Sequence, residues 1–477
     1  MSSRPTVPYG EWPSPITPEL VVAASVSLGE VLLDGADVCW SELRPAEGGR
    51  VQVVRNTPDG ATVDLLPEGF SARTRVHEYG GGAWLVDDGW LYFANWADQR
   101  LHRLAMDVGG EPEPITPEPP SPGAWRYADM RRLDDFLIGV MERHDTGGEA
   151  VNEIVAVPVD GSGAPQVLVS GHDFYANPRL SPSGMQLVWI QWDHPNMPWD
   201  STELCAAAIE VVDGAVVLGD PVVVAGGEGE SVIQPVFRGD GELHFLSDRT
   251  DWWNAYAATG DGVVVRTELE AEIGTPQWVF GMSRYGFLAD GRMVLAYAQD
   301  GLDRLAVRAL AGTIVDLDLP YTEIASVAVR PTSVVFVGAG FDQEAVVVEV
   351  PIEGGVNAPV TGEPQVLRPA RELGLDPAWF SIAQPVSFPS GPGGERTAHA
   401  QYYPPTNPDV EPPEAEAPPL LVLIHGGPTA MARGRLDLAK VYWTSRGFAV
   451  VDVNYGGSTG YGRPYRELLK GAWGIVD

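Results

Sequence analysis

The sequence predicts a mostly-β chain: an all-β seven-bladed β-propeller followed by the first part of a parallel α/β domain. Three observations carry this. A turn signal followed by a strand rich in β-branched and aromatic residues recurs seven times between residues 34 and 338. Helical periodicity is almost absent through that stretch. After residue 370 the pattern changes to strand, helix, strand, helix, with apolar strands that read as covered on both faces.

Residues 1–29 form a leading segment. Residues 1–9 hold one arginine and no apolar run, which excludes a signal peptide. Thr17 before Pro18 and Glu19 reads as an N-cap with proline at the first helical position, so a short buried helix is expected over 20–28. The seven repeated strands then begin at 38, 90, 136, 186, 242, 292 and 333. Their turn signals are Asp34-Gly35, Asp88-Gly89, Asp134-Asp135, Ser183-Gly184, Asp240-Gly241, Asp290-Gly291 and Pro331-Thr332. Spacings of 41 to 56 residues leave room for one four-stranded blade each, which sets the propeller at 30–365. A short helix or hinge at 372–379, a hairpin of 382–390 with 397–405, and an acidic, proline-rich loop at 407–419 follow. Strands at 420–424 and 448–455 alternate with helices at 432–446 and 463–473, which makes 370–477 an incomplete α/β domain.

His425-Gly426-Gly427-Pro428 closes the apolar run Leu420 to Ile424. In an α/β-hydrolase a strand ending in such a turn places a backbone N–H where a tetrahedral oxyanion forms, and glycine leaves room for the substrate carbonyl. Gly427 is the candidate donor; the same residues are also compatible with a tight turn and nothing more. Further on, Gly456-Gly457-Ser458-Thr459-Gly460 matches G-x-S-x-G between a strand and a helix. Three points count against Ser458 as nucleophile. No histidine follows it and Asp477 is the one later aspartate, no further strand is available to carry an acid or base, and glycines at 456, 457, 460 and 462 describe a loop more than one sharp elbow.

The net charge of −34, with Lys440 and Lys470 the only lysines, repels nucleic acid and anionic membrane. Cys39 and Cys205 do not make a disulfide framework, and a cytoplasmic location is expected. No run of about eighteen apolar residues is long enough to span a bilayer. His77-Glu78 lacks the second histidine of H-E-x-x-H because position 81 is glycine, and neither lysine sits in a phosphate-binding loop, so no metal or cofactor is expected.

The stretch from His425 to Gly474, with YGEWPSPIT at 9–17, VHEYGGGAW at 76–84, WDHPNMPWDSTEL at 192–204 and SDRTDWWNAY at 247–256, resembles bacterial peptidases of the prolyl oligopeptidase family, on the acylaminoacyl peptidase and dipeptidyl aminopeptidase side. The resemblance covers nearly the whole chain. It implies a propeller followed by an α/β-hydrolase domain, short peptides as substrates, and serine-type hydrolysis of an amide bond near the N-terminus. The family's catalytic serine lies in a later Gly-Gly-Ser-Ala-Gly-Gly-like elbow followed by Asp and His, and this sequence ends before it. The chain alone is therefore expected to be inactive. By the same match Gly427 takes the oxyanion role, His425 shapes the turn, and Tyr455 and Ser458 become wall residues of the substrate side.

Glu78, Asp193 and Asp200 are candidates to bind a peptide's amino group, since a cation in a narrow cleft needs a paired anion; carboxylates in blade turns more often satisfy local N–H groups. Trp192, Trp199, Trp252 and Trp253 read as blade packing before ligand stacking. The alternative function is a non-catalytic, peptide-binding propeller, and a third is a small esterase using Ser458. Oligomeric state is left open, a homo-oligomer included.

Overall fold

Each of the seven repeated strands lies second in an antiparallel sheet. The computed structural model describes residues 4–23, 25–145 and 147–477. Its β-structure begins with seven antiparallel sheets, at 27–64, 84–114, 125–169, 174–226, 232–265, 285–316 and 323–368, the fourth and seventh with five strands and the others with four. The second strands are apolar on both faces and buried on both: Phe136–Arg143 is buried in all but its last residue and Ser333–Ala339 throughout. That pattern fits a sheet covered by a neighbour on each side.

The first strands pack in chain order. Ser27–Asp34 meets Trp84–Asp87, which meets Trp125–Leu133, then Phe174–Leu180, then Val232–Phe237. Tyr285 Oη donates to Gln234 O (2.9 Å) to join the fifth sheet to the sixth, Tyr285–Phe287 meets Glu323–Val329, and Glu323–Val329 returns to Ser27–Asp34. Five of these strands break register at a bulge, between Leu28 and Val31, Ala176 and Arg179, Ile233 and Val236, Ala325 and Ala328, and opposite Ile138 and Val140 in the third sheet. A bulge leaves one residue unpaired and re-aims its side chain.

Several helices differ from expectation. The first is Pro18–Val22, capped by Thr17 Oγ1 accepting from Leu20 N, and it buries none of its residues. It stops short of 28 because Ser27 and Leu28 pair with Leu43 and Glu42. Residues 372–379 supply only the 3-10 turn Pro377–Trp379. The helix expected over 432–446 is Leu438–Thr444, because Asp437 caps it and the residues before it hydrogen-bond to the sheet region: Gly434 N to Gly301 O (3.1 Å) and Leu436 N to Gly340 O (2.7 Å). The helix at 463–473 shortens to Arg463–Glu467, beyond which the glycines at 471 and 474 take left-handed φ.

The eighth sheet is mixed, in the order Gln384–Ser390, Arg396–Tyr403, Ala449–Asn454, Leu420–Ile424. The last two strands are parallel, joined through Leu438–Thr444, and the expected hairpin forms the other side. Leu420–Ile424 pairs on one side only, and Val422 and Ile424 are 61% and 71% exposed, an unpaired apolar edge.

Two buried aspartates hold this portion against the seven sheets. Asp248 Oδ2 accepts from Arg463 (2.7 Å) and Arg466 (2.5 Å), while its Oδ1 accepts from Ser231 N (2.7 Å). The Arg466 guanidinium lies over the Trp253 ring (4.2 Å). Asp303 is paired with Arg284 (2.9 Å) and with Arg433 (2.9 Å). Both aspartate side chains are wholly inaccessible. Removing one partner of such a group leaves an uncompensated buried charge, which costs about 3–5 kcal/mol. Asp248→Ala, which takes from Arg466 its close carboxylate partner and leaves Arg463 only Glu467, is therefore expected to lower stability by about that much. Denaturant melts check it, and an unchanged midpoint would contradict the clamp.

Candidate active site

The turn after Leu420–Ile424 sits where the eighth sheet meets the seven. Gly426 and Gly427 are exposed, and Gly427 has φ +137° with a hypothetical Cβ 3.1 Å from Thr429 N, so glycine suits the position. Among the described residues the Gly427 N–H has no protein acceptor. Trp278 of the seven-sheet region donates its Nε1–H to Thr429 O (2.7 Å), two residues from Gly427. Trp278 in turn packs on Trp199 (4.5 Å between ring centroids) and Tyr79 (5.3 Å).

The structure brings His425, Tyr455 and Ser458 together. His425 Nε2 lies 2.8 Å from Ser458 Oγ, Tyr455 stacks on the imidazole (4.7 Å), and Tyr455 Oη donates to His425 O (3.0 Å). Nδ1 faces Gly426 O (3.1 Å), so the hydrogen-bond pattern puts its proton on Nδ1 and makes Nε2 an acceptor for the serine hydroxyl. A catalytic triad needs a carboxylate at Nδ1. The nearby Asp452 is instead paired with Lys440 (2.7 Å). Ser458 is fully buried, with its N–H donating to Tyr455 O (2.9 Å). The serine hydroxyl is thus closed off from solvent, while His425 is half-buried at the turn.

The three carboxylate candidates are placed differently. Asp200 is half-buried and tied down, pairing with Lys470 (2.9 Å) and accepting from Met197 N (3.0 Å). Asp193 accepts from Asp173 N (2.8 Å) and pairs with His172 Nδ1 (2.7 Å); burial pushes its pKa up, but those two partners outweigh it and hold the carboxyl below its usual range. Glu78 projects beside Tyr79, its side chain 75% exposed, with one contact to Arg126 (3.0 Å). Glu78, Glu142 and His144 offer ligand atoms within 4.8 Å of one another, and Arg126 already sits on both carboxylates. His77 points inward against Phe280 (4.8 Å) and Phe174 (5.1 Å), and burial pushes its pKa down to about 3, so it is a core group. His77 and Glu78 both take left-handed φ (53° and 64°), a conformation that costs of order 1 kcal/mol per non-glycine residue. Trp192 stacks on Phe174 (5.2 Å) and Trp253 is fully buried, as packing residues.

Sequence reasoning missed Trp278, Arg126 and the four arginines of the clamps. The stretches SDRTDWWNAY and GRPYRE contain Asp248, Arg463 and Arg466, but nothing local shows that residues more than 200 positions apart are partners.

Comparison with known proteins places the chain among peptidases. The prolyl oligopeptidase family model matches residues 435–477. The structure of a Mycobacterium tuberculosis puromycin-hydrolyzing peptidase superimposes with a TM-score of 0.90 at 41% identity, covering 99% of this chain and 73% of that one. A puromycin hydrolase crystal structure does so with a TM-score of 0.90 at 37% identity, again over 99% and 73%. Dipeptidyl aminopeptidase BIII of Pseudoxanthomonas mexicana is 39% identical over 61 residues, 13% of this chain and 9% of that protein. The chain belongs to the prolyl oligopeptidase family.

Burial lowers the His425 pKa below 6.5, with the Gly426 carbonyl and Asp452 opposing it. Its imidazole resonances should therefore titrate with a midpoint under 6.5, the ring being neutral at pH 7. A midpoint above 7 would mean that the ring is mostly charged at pH 7 and would reverse the donor assignment to Ser458.

Proposed function

We propose that residues 1–477 form the substrate-admitting propeller and the oxyanion-forming edge of a serine peptidase that hydrolyses short peptides at an amide bond near their N-terminus. The observation that carries the reading is the free Gly427 N–H at an exposed turn, in a chain of this family. The ring of sheets, in which 323–329 packs back on 27–34, supports reading 30–365 as a seven-bladed propeller. The parallel pair in the eighth sheet supports reading 370–477 as the hydrolase portion. Residues 1–29 are a separate segment in this reading, and bonds such as Gly10 N to Arg446 O (3.0 Å) and Asn407 Nδ2 to Pro13 O (2.9 Å) support docking of its start on the hydrolase portion. Puromycin hydrolysis in the names of two solved relatives supports a small substrate. Free, buried Cys39 and Cys205 accord with a reducing cytoplasm.

In the reaction a serine attacks the amide carbonyl, a histidine takes and then returns the proton, and the Gly427 N–H stabilises the developing oxyanion. Within 1–477 no group is assigned as nucleophile, acid or base, and Ser458 is fully buried beside a histidine that has no carboxylate at Nδ1, which would leave the chain alone inactive. Glu78, exposed next to the aromatic group over the turn, is the favoured partner for a substrate amino group: its Arg126 contact is at a carboxylate 75% exposed, whereas Asp193 and Asp200 are each held by a backbone N–H and a cationic or imidazole side chain.

Two measurements test this. A fluorophosphonate probe should leave 1–477 unlabelled, whereas labelling lost in Ser458→Ala would revive the esterase reading. A short peptide should bind at least about tenfold more tightly than its N-acetylated form, and Glu78→Gln should remove the difference, which corresponds to about 1.4 kcal/mol. Equal binding by wild type would remove Glu78 from the amine site.

A further inference from the structure

The bulged first strands converge on one level of the space they enclose. At that level Asp129, Asn177, Gln234 and Ser326 take left-handed φ of 56°, 51°, 51° and 51°, and Gly82 and Gly281 take 55° and 77°. Four strained non-glycine residues at equivalent places in separate sheets mark a built feature, since each position costs of order 1 kcal/mol. The bulges are tied to one another around the ring. Ser326 Oγ accepts from Val31 N (2.6 Å), Glu30 Oε1 from Gly82 N (3.1 Å), Gly82 O from Asp129 N (2.7 Å) and Asp129 Oδ2 from Asn177 N (3.0 Å). Between Asn177 and Gln234 the chain of bonds lapses: Asn177 Oδ1 and Gln234 Nε2 are both buried without a partner among the described residues.

A void of about 240 Å³ opens at this level, bordered by Glu30, Asp129, Arg131, Arg179 and Gln234. Its lining carries two acids, Glu30 and Asp129, and two arginines, Arg131 and Arg179, but the arginines are not shared evenly between the acids. Arg179 (2.8 Å) and Arg131 (3.3 Å) share the one oxygen Asp129 Oδ1, whose neighbour Oδ2 is already taken by Asn177. Glu30 is the remaining acid. Burial, with Asp129 adding to it and Arg131 and Arg179 opposing, pushes its pKa to about 8, so it is mostly neutral at pH 7. Burial and the charge on Arg179 also push Arg131 down to about 10. With Glu30 neutral, two guanidinium groups whose side chains are 26% and 16% exposed face the one carboxylate of Asp129 at the void, an excess of positive charge that a bound anion would offset.

We infer that this throat binds a small monovalent anion, a halide or a one-carbon carboxylate, between the Arg131 and Arg179 guanidinium groups with the Gln234 amide as a further donor. The site lies among the first strands of the sheets, away from the Gly427 turn, and does not depend on the peptidase reading. It gives the ring a counter-charge at the level where its inter-sheet bonds lapse.

The test uses the full chain at constant ionic strength, exchanging sodium gluconate for sodium chloride or sodium formate, so that general screening of the acidic surface stays fixed. The melting temperature should rise saturably with chloride or formate at pH 7, and formate should reverse the broadening of the chloride-35 resonance. Both effects should vanish in Arg131→Gln. Glu30→Gln should keep them at pH 9, where wild type loses them because Glu30 has ionised beside Arg131 and Arg179. If Arg131→Gln fails to fold, the Glu30→Gln comparison and the chloride-35 linewidths of wild type decide alone. A response that does not saturate, or one that is the same in Arg131→Gln, would overturn the site.

Discussion

Asp248 and Asp303 are the fixed points on which the arrangement of the candidate active site depends. Each is inaccessible to solvent and each receives arginines from both its own surroundings and the eighth-sheet portion or from that portion alone. A carboxylate so deeply placed is tolerable only when its charge is matched and its oxygens are all used. The constraint works in both directions. Arg463, Arg466 and Arg433 must stay where the aspartates are, so the segments bearing them cannot drift, and the turn at 425–429 is carried with them. Trp278 completes the attachment by binding Thr429 O directly. The turn that contains Gly427 is thereby held by residues that precede it in sequence by more than a hundred positions.

The same logic of satisfied and unsatisfied polar groups separates the two ends of the enclosed space. At the eighth-sheet end, Glu78, Tyr79 and Trp278 present an exposed carboxylate and aromatic faces next to the turn, on a loop whose left-handed backbone is held by Glu142 accepting from His77 N (2.8 Å). At the level of the bulges, polar side chains turn inward and are bonded from sheet to sheet, apart from the Asn177–Gln234 gap. Left-handed backbone occurs at both places, at His77 and Glu78 beside the turn and at Asp129, Asn177, Gln234 and Ser326 in the bulges, as it also does in connecting turns such as Asp88 and Asp213.

Much of the fold was legible in the sequence because blade strands are local. A turn residue pair followed by an apolar strand needs no distant information, and all seven repeated strands are the second strands of the seven antiparallel sheets. The hairpin at 384–403 and the parallel pair 420–424 and 449–454 were equally plain. Helix lengths were overestimated wherever tertiary hydrogen bonds captured the backbone: the residues before Leu438 bond to Gly301 and Gly340, and Leu28 pairs with Glu42. The turn itself was legible through His425-Gly426-Gly427-Pro428, whereas the clamps were not. Asp248 and Arg466 are 218 residues apart, and no pattern of charge along the chain distinguishes them from the many surface carboxylates and arginines. The bulge ring was hidden for a different reason, since Asp129, Asn177, Gln234 and Ser326 share a backbone conformation but no side-chain type.

The seven-sheet region, more than the eighth sheet's own strands, fixes the segment that follows the Gly427 turn. Hydrogen exchange across 430–436, compared between the wild-type chain and Arg433→Gln, tests this most directly, because Gly434 N and Leu436 N donate to Gly301 and Gly340. Protection in wild type that falls at least about tenfold in the variant, with 384–403 unchanged, is the predicted result, tenfold being about 1.4 kcal/mol of local opening. Equal protection in the two proteins would contradict it and return control of the turn to the eighth sheet alone.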